Sequence, residues 1–216
     1  MGRNIPLSFF NRGTPSVARD LLGTLLVRVL PTGERISGMI VETEAYLPFD
    51  AASHAFRGRT QRNASMFERP GTLYVYFTYG MHFCLNAVTE SIGVPAAVLI
   101  RALEPRESID LMCMNRKSHR SNQAEISLLD LCSGPARICQ ALGIDRSFDG
   151  STLSHLHGDI RVEVGQKVSN NDVAVSHRIG IRGDTAASRA NLRWYILGNP
   201  CVSHIPKANI SEHKLG

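Results

Sequence analysis

The 216-residue chain is long enough for one domain with a proper core, and its 43% hydrophobic and 20% charged residues are ordinary for a globular protein. The net charge of +5 is moderate, no run of about 18 apolar residues offers a membrane span, and "MGRNIPLSFF" has neither a signal-peptide core nor the Ser/Thr of a myristoylation site. The five cysteines lack any C-x-x-C spacing, so free thiols in a reducing compartment are expected and a structural zinc site is not.

In chain order, "TPSVARDLLG" predicts a short helix, with Thr14 as cap, Pro15 in the first turn and Gly23 as its end. "TLLVRVL", "PTGE" and "RISGMIVETEAY" predict a hairpin that turns at Pro31 and Gly33. Its second strand runs into Glu42 and Glu44, two acids at the end of an apolar run. Side chains two apart on a strand share a face, so Glu42, Glu44 and Tyr46 point one way. "RGRTQRNASMFER" gathers Arg57, Arg59, Arg62 and Arg69 against Glu68 alone. Such a group neutralises phosphates or is a solvated loop.

"GTLYVYFTYGMHFCLNAVT" predicts a second hairpin with Tyr79 at its tip beside Gly80, a costly place for an aromatic unless it meets a partner. "PAAVLIRALEP" predicts a strand closed by Pro105. Helices are expected over "RESIDLMCMN" and "GPARICQALG", with a mobile basic loop, "RKSHRSNQAE", between them. "DIRVEVG" and "LRWYILG" read as late strands. This mixture, without a βαβ rhythm, predicts an α+β fold: one domain spanning 1–216, its core at about 11–203 with short flexible termini, built on a curved, mainly antiparallel sheet flanked by helices.

The sequence has no P-loop, no G-x-G-x-x-G, no H-E-x-x-H, no G-x-S-x-G and no zinc-deaminase signature. His155 and His157, in "HLH", read as a surface pair. What remains is acids, aromatics, a histidine and cationic loops, a set suited to a flat, polar, π-rich ligand near phosphates. Glu44 has the chemistry of a general base, and from the residues alone Glu42 serves equally. Tyr46 and Tyr76 suit stacking, His54 an edge hydrogen bond, and Tyr79 the filling of a gap in a nucleic-acid stack.

"GMIVETEAY", "ASHAFRG", "NASMFERPGTLYVYFTYGMHFCLN", "VLIRALEP" and "LCSGPARICQALGI" together resemble the alkyladenine (3-methyladenine) DNA glycosylases, in order from about Asn11 to Ser203. The resemblance implies a monofunctional base-excision-repair enzyme. It would flip an alkylated or deaminated purine, such as 3-methyladenine or hypoxanthine, out of duplex DNA and hydrolyse the N-glycosidic bond with an activated water. It selects Glu44 as general base and implies that Arg101 helps to hold the water. Tyr46, His54 and Tyr76 become walls of the base pocket, Asn86 the discriminator against the 2-amino group of guanine, Tyr79 the inserted residue and Arg137 a phosphate contact. Arg59 is expected at the DNA interface as well, and Met66 suits that interface beside Tyr79 or, nearly as well, core packing.

The partner implied is damaged double-stranded DNA, with no cofactor, metal or membrane. A monomer is expected, since one lesion is handled at a time. The expected compartment is intracellular: cytoplasm or nucleoid in a bacterium, nucleus in a eukaryote. Two departures from the family pattern stand out. Ala187 and Asn191 replace a frequent Trp-Pro pair, which predicts local repacking around Trp194, and the loop from Tyr46 to His54 is one residue shorter than in some relatives. An inactive damage-binding protein and a nucleoside hydrolase are the alternatives. Intact Glu44 and Arg101 argue against the first, the basic loops and Tyr79 against the second.

Overall fold

The structure is a computed structural model that describes residues 2–121, 124–153, 159–181 and 185–203. His155, His157 and the expected C-terminal tail, 204–216, lie outside the described residues. Helix α1 (Thr14–Asp20) precedes a hairpin of β1 (Leu25–Val29) and β2 (Arg35–Tyr46). A second hairpin, β3 (Leu73–Thr78) and β4 (His82–Val88), leads to β5 (Ala97–Glu107). Helices α2 (Ile109–Ser118), α3 (Leu128–Leu131) and α4 (Pro135–Leu142) follow. Strands β6 (Ile160–Glu163) and β7 (Val173–Ser176), helix α5 (Ala186–Arg189) and β8 (Arg193–Ile196) complete the order.

The strands form one sheet in the order β3-β4-β5-β2-β1-β6, with every pairing antiparallel. The long strand β2 is its axis. One of its edges pairs with β5 throughout; the other is shared by β1 at the start and β8 at Glu42–Glu44. This is the α+β architecture that the mixed pattern predicts. Ile40, before an irregularity at Val41, and Ala45, after it, both face the main core with Val17, Leu21 and the apolar side of α4, while the Thr43 hydroxyl donates to the Ala18 carbonyl of α1. Glu42, Glu44 and Tyr46 are left for the opposite side of β2.

Two bulges interrupt the β2–β5 ladder at the point that matters. The register slips once at Val41 and again at Arg101, each time leaving one residue without a direct partner. Bulges re-aim side chains. The first sends Val41 into a separate cluster with Met39, Ala102 and Cys201. The second presents Arg101 to both acids of β2.

Some expectations need correction. Thr14 is the first helical residue and Gly13 the cap; the buried Thr14 hydroxyl bonds Thr89 and Glu90 at 3.0 and 2.6 Å instead. Strand β5 does not stop at Pro105 but passes through it to Glu107, because a third register slip leaves Arg106 out of the ladder and a bulge tolerates proline. Helix α2 extends to Ser118, so Arg116 belongs to a helix and is buried, not part of a solvated loop. Strand β7 and the short helices α3 and α5 were not expected at all; at four residues each they carry too little periodicity to show.

Opposite Pro105 stands Gly38, where an added Cβ would lie 2.8 Å from the Leu103 Cβ and 3.1 Å from the Glu104 carbonyl oxygen. Overpacking at such a backbone approach costs roughly 1–3 kcal/mol. Gly38→Val is therefore expected to lower the midpoint of thermal unfolding by several degrees; a midpoint equal to that of the parent protein would show that the ladder yields freely there.

Candidate active site

Glu42 and Glu44 are both fully buried, and their surroundings differ. Glu42 is saturated. Its Oε1 accepts from Arg101 Nε (3.0 Å), Arg193 Nε (2.6 Å) and the Ser203 hydroxyl (2.9 Å), and its Oε2 from the Ser203 amide (2.8 Å). Two guanidinium groups and a closing loop enclose it. Glu44 accepts from the Ile179 amide (2.7 Å) and faces Arg101 Nη1 at 3.3 Å through Oε1, while Oε2 accepts from the Tyr46 hydroxyl at 2.9 Å. Burial raises the Glu44 pKa, and neither Arg101 nor the Ile179 and Tyr46 hydrogen bonds cancel that cost. Burial likewise works against the charge on Arg101, but Glu44 and Glu42 outweigh it and the guanidinium pKa rises.

Glu44 sits just behind a cavity of about 450 Å³. Its three bonding partners, Tyr46, Arg101 and Ile179, all line that cavity, as do His54, Tyr74, Tyr76, Asn86 and Met66. The strand period explains the convergence. Tyr74 and Tyr76 are two apart on β3, and Asn86 and Cys84 face them directly on β4. Their rings lie 5.3 Å apart, and His54 meets Tyr76 edge-on at 4.5 Å. His54 Nδ1 is 2.9 Å from the Tyr74 hydroxyl. Burial, and after it the charge on Arg62, lowers the His54 pKa, which favours neutral imidazole. The Tyr74 phenol, pushed up to about 12 by burial, stays protonated. Asn86 Nδ2 donates to the Tyr74 carbonyl at 2.9 Å, which orients its amide.

Tyr79 lines the mouth of the cavity and is 80% exposed. It also holds a left-handed backbone, φ 51°, in a three-residue turn with Gly80 at φ 69°. A bulky residue there is strained as well as solvent-exposed. Met81 and Phe77 flank it and are exposed too.

The structure brings Tyr46, His54, Tyr76, Asn86, Tyr79, Met66 and Arg101 to one cavity, with Glu44 behind it. It does not bring Arg59 or Arg137 there. Arg59 is exposed and paired with Glu68, and Arg137 bonds Asp130 in a neighbouring cleft. Met66 is 2% exposed and packs with Tyr74, Val88 and Ala97 inside the wall, so it is not beside Tyr79 on the surface. The methionine at the tip is Met81.

Sequence reasoning missed several contributors. Arg193 was visible as a charge inside the apolar run "LRWY", the same anomaly that flagged Glu42. Arg178 had no such signal. Its buried guanidinium binds the Asp50 carboxylate and the carbonyls of Ala45 and Ala187 (2.9 and 3.0 Å), and lies 4.6 Å from the Tyr46 ring centroid. It thus fastens the short loop after Tyr46 and places its neighbour Ile179 against Glu44. The Ala187 departure is accommodated here through a backbone carbonyl, and Trp194 is buried in the main core. Among the described residues no cluster of three His, Cys, Asp or Glu is placed for a metal, and the five cysteines are free thiols.

The two acids should respond oppositely to loss of charge. Glu42→Ala strands two buried guanidinium groups, which costs about 3–5 kcal/mol when one partner of a buried ion pair is removed. Glu44→Gln removes a charge that burial disfavours, so chemical denaturation should find it as stable as the parent or more so. Equal destabilisation of both variants would contradict the assignment of Glu42 as the structural acid.

Residues 8–200 match the family model for methylpurine-DNA glycosylase. The chain is 45% identical over 205 residues to the mouse protein named DNA-3-methyladenine glycosylase and 44% identical over 206 residues to the human one. These alignments take in 92% and 93% of this chain, but only 61% and 68% of the mouse and human proteins. A Carboxydothermus hydrogenoformans protein, whose name places it provisionally among the 3-methyladenine DNA glycosylases, is 45% identical over 200 residues, covering 92% of this chain and 98% of that protein. A family model spanning most of the chain, and relatives at this identity, establish that the protein belongs to the methylpurine-DNA glycosylase family.

Proposed function

We propose that this protein is a monofunctional DNA glycosylase that extrudes an alkylated or deaminated purine from duplex DNA and hydrolyses its N-glycosidic bond with water. The observation that carries this reading is a buried acid, Glu44, behind an aromatic cavity whose mouth holds the strained, exposed Tyr79. A carboxylate in a dry site is a stronger base than one in water, and Glu44 Oε2 accepts from Tyr46 alone among the described residues, which leaves a lone pair for the proton of the attacking water. Arg101, whose Nη1 faces Glu44 and which lines the cavity, helps to hold that water.

Cationic alkylated purines suit the aromatic walls, since a positive ring is drawn to a π face. If the Tyr74 hydroxyl donates in its 2.9 Å contact with His54 Nδ1, the imidazole proton sits on Nε2 and serves the edge of the base. Asn86, fixed by the Tyr74 carbonyl, meets a 2-amino group with its amide and so disfavours guanine. Tyr79 fills the space the nucleotide leaves. Tyr79 argues against free nucleosides as substrates, because nothing in a nucleoside requires a wedge. A monomer acting on double-stranded DNA fits this division of labour.

Incubation with a duplex carrying one hypoxanthine or one methylated adenine, followed by hot alkali, should cut the strand at the lesion. Glu44→Gln should reduce turnover by at least about 100-fold, the scale of lost general-base catalysis, while the lesion duplex is still retained; undiminished cleavage would remove Glu44 from the mechanism. Since Glu44 must be ionised to accept a proton and burial raises its pKa, single-turnover rates should fall with decreasing pH along a limb above the ordinary carboxylate range. Tyr79→Ala should slow excision from duplex more than from single-stranded substrate, and equal slowing on both would sink the wedge role.

A further inference from the structure

Strand β3 is an edge of the sheet, and two arginines cap its free side. Arg146 Nη1 donates to the Val75 carbonyl at 2.8 Å, and Arg62 Nη2 to the Phe77 carbonyl at 3.0 Å. Both line an outer hollow with Gln61, Phe77 and Phe83, and neither lines the base cavity. Covering an open edge is a structural task. Arg62 has a second contact. Its guanidinium carbon stands 5.9 Å over the centroid of the Tyr76 ring, a wall of the base cavity. A cation thus rests against that wall from outside the cavity.

Tyr46 is backed in the same way by Arg178, at 4.6 Å and again from outside the cavity lining. The two cations differ in their counter-charges. Arg178 is neutralised by Asp50, as Arg101 and Arg193 are by the acids of β2. Arg146 meets Asp149 at 3.3 Å, and Arg59 takes Glu68. Arg62 makes no ion pair among the described residues; its contacts are the Phe77 carbonyl and the Tyr76 ring. Its charge reaches the cavity. After burial, Arg62 is what holds His54 toward neutral imidazole, and it opposes the rise of the Tyr74 pKa. Arg62 is exposed, so water and salt weaken its field outward. Toward the cavity the field passes through Tyr76 and His54, which displace water.

A π face attracts a cation, so an aromatic cavity by itself draws an alkylated, positively charged purine. A second cation against Tyr76 opposes this, because it engages the same ring and repels the incoming charge. A neutral damaged purine meets neither penalty. Bond breaking has its own sign. The glycosidic electron pair leaves with the base, while water adds its oxygen to the sugar carbon and gives its proton to Glu44. A cationic purine thereby departs neutral, and a neutral purine departs with negative charge until it takes a proton from solvent. Positive potential helps either departure, but only the cationic purine is penalised on entry.

We propose that Arg62 is a specificity-determining residue: its unbalanced guanidinium, set against Tyr76 from outside, biases the base cavity against positively charged purines and in favour of neutral damaged ones such as hypoxanthine. This role rests on the glycosylase reading and narrows the class of lesion that the cavity favours.

The charge at position 62 is the variable to change. Arg62→Lys keeps it, Arg62→Gln removes it and Arg62→Glu reverses it. Two duplexes differ only in the lesion, hypoxanthine in one and cationic 3-methyladenine in the other. Single-turnover excision is followed at a pH above the imidazole titration, with spontaneous base loss subtracted. The ratio of efficiencies, hypoxanthine over 3-methyladenine, should fall about two- to fivefold in Arg62→Gln, the scale of an exposed cation–π contact. It should fall further in Arg62→Glu and stay near the parent value in Arg62→Lys. Saturation curves should divide the effect: binding tightens for 3-methyladenine relative to hypoxanthine, while the maximal rates of both decline. Imidazole NMR needs no substrate, and the His54 titration should move upward from Arg62→Lys to Arg62→Gln to Arg62→Glu. An edge cap or a general duplex contact would affect both lesions alike, so an unchanged ratio overturns the proposal even where both rates fall. A His54 titration indifferent to the charge overturns it too. Glutamine can still donate to the Phe77 carbonyl; should Arg62→Glu not fold, Arg62→Lys and Arg62→Gln decide. A parent protein that excises neither lesion overturns the glycosylase reading together with this proposal, whereas excision of both at a ratio independent of the charge overturns the proposal alone.

Discussion

The buried network around Glu42 is the constraint on which the rest of the site depends. One carboxylate takes Arg101 from β5, Arg193 from β8 and Ser203 from the segment that follows, so three separate parts of the chain are tied to the middle of β2. Buried ion pairs add little net stability but are costly to break. Here that asymmetry fixes position. Arg101 cannot leave Glu42 without stranding a charge, and so its Nη1 is held against Glu44. The catalytic candidate is thereby presented with a cation that it does not have to neutralise alone.

The two acids divide labour through solvation. Glu42 receives hydrogen bonds at both oxygens and two positive charges. Glu44 receives fewer donors, and its burial is incompletely compensated. A carboxylate of that kind holds protons more tightly than usual, which is the property required of a base. The partly exposed mouth beyond it holds Tyr79 in a strained turn, so strain and exposure fall together at the rim of the cavity. Arg178 supplies a second anchor, tying the loop that carries His54 to the backbone around Tyr46.

Much of the cavity was legible from period and motif. Alternation on β2 put Glu44 and Tyr46 on one face, and the hydroxyl of Tyr46 does donate to Glu44. The second hairpin set Tyr76 and Asn86 on one face of adjacent strands and raised Tyr79 to its tip. What could not be read was longer in range. Arg178 is 128 residues from Asp50, and Arg193 is 151 from Glu42. No local pattern announces a pairing of that separation. Met66 shows the same limit: the sequence left core packing nearly equal to a place at the DNA interface, and only the fold sets its side chain in the cavity wall with Tyr74 and Ala97.

By itself the sequence determined the hairpins, the α+β class and, through its linked motifs, the family, and it named several of the residues that line the cavity, Tyr46, His54, Tyr76 and Asn86 among them, because strand alternation and short-range turn chemistry are local properties. Only the tertiary structure separated the two acids physically, since their difference lies in what Arg193, Ser203 and Ile179 bring from the far end of the chain. The same holds for Arg116. In the sequence it was one of a run of basic residues; folding buried it with no ion-pair partner among the described residues, and burial is a property that charge patterning along a chain does not carry.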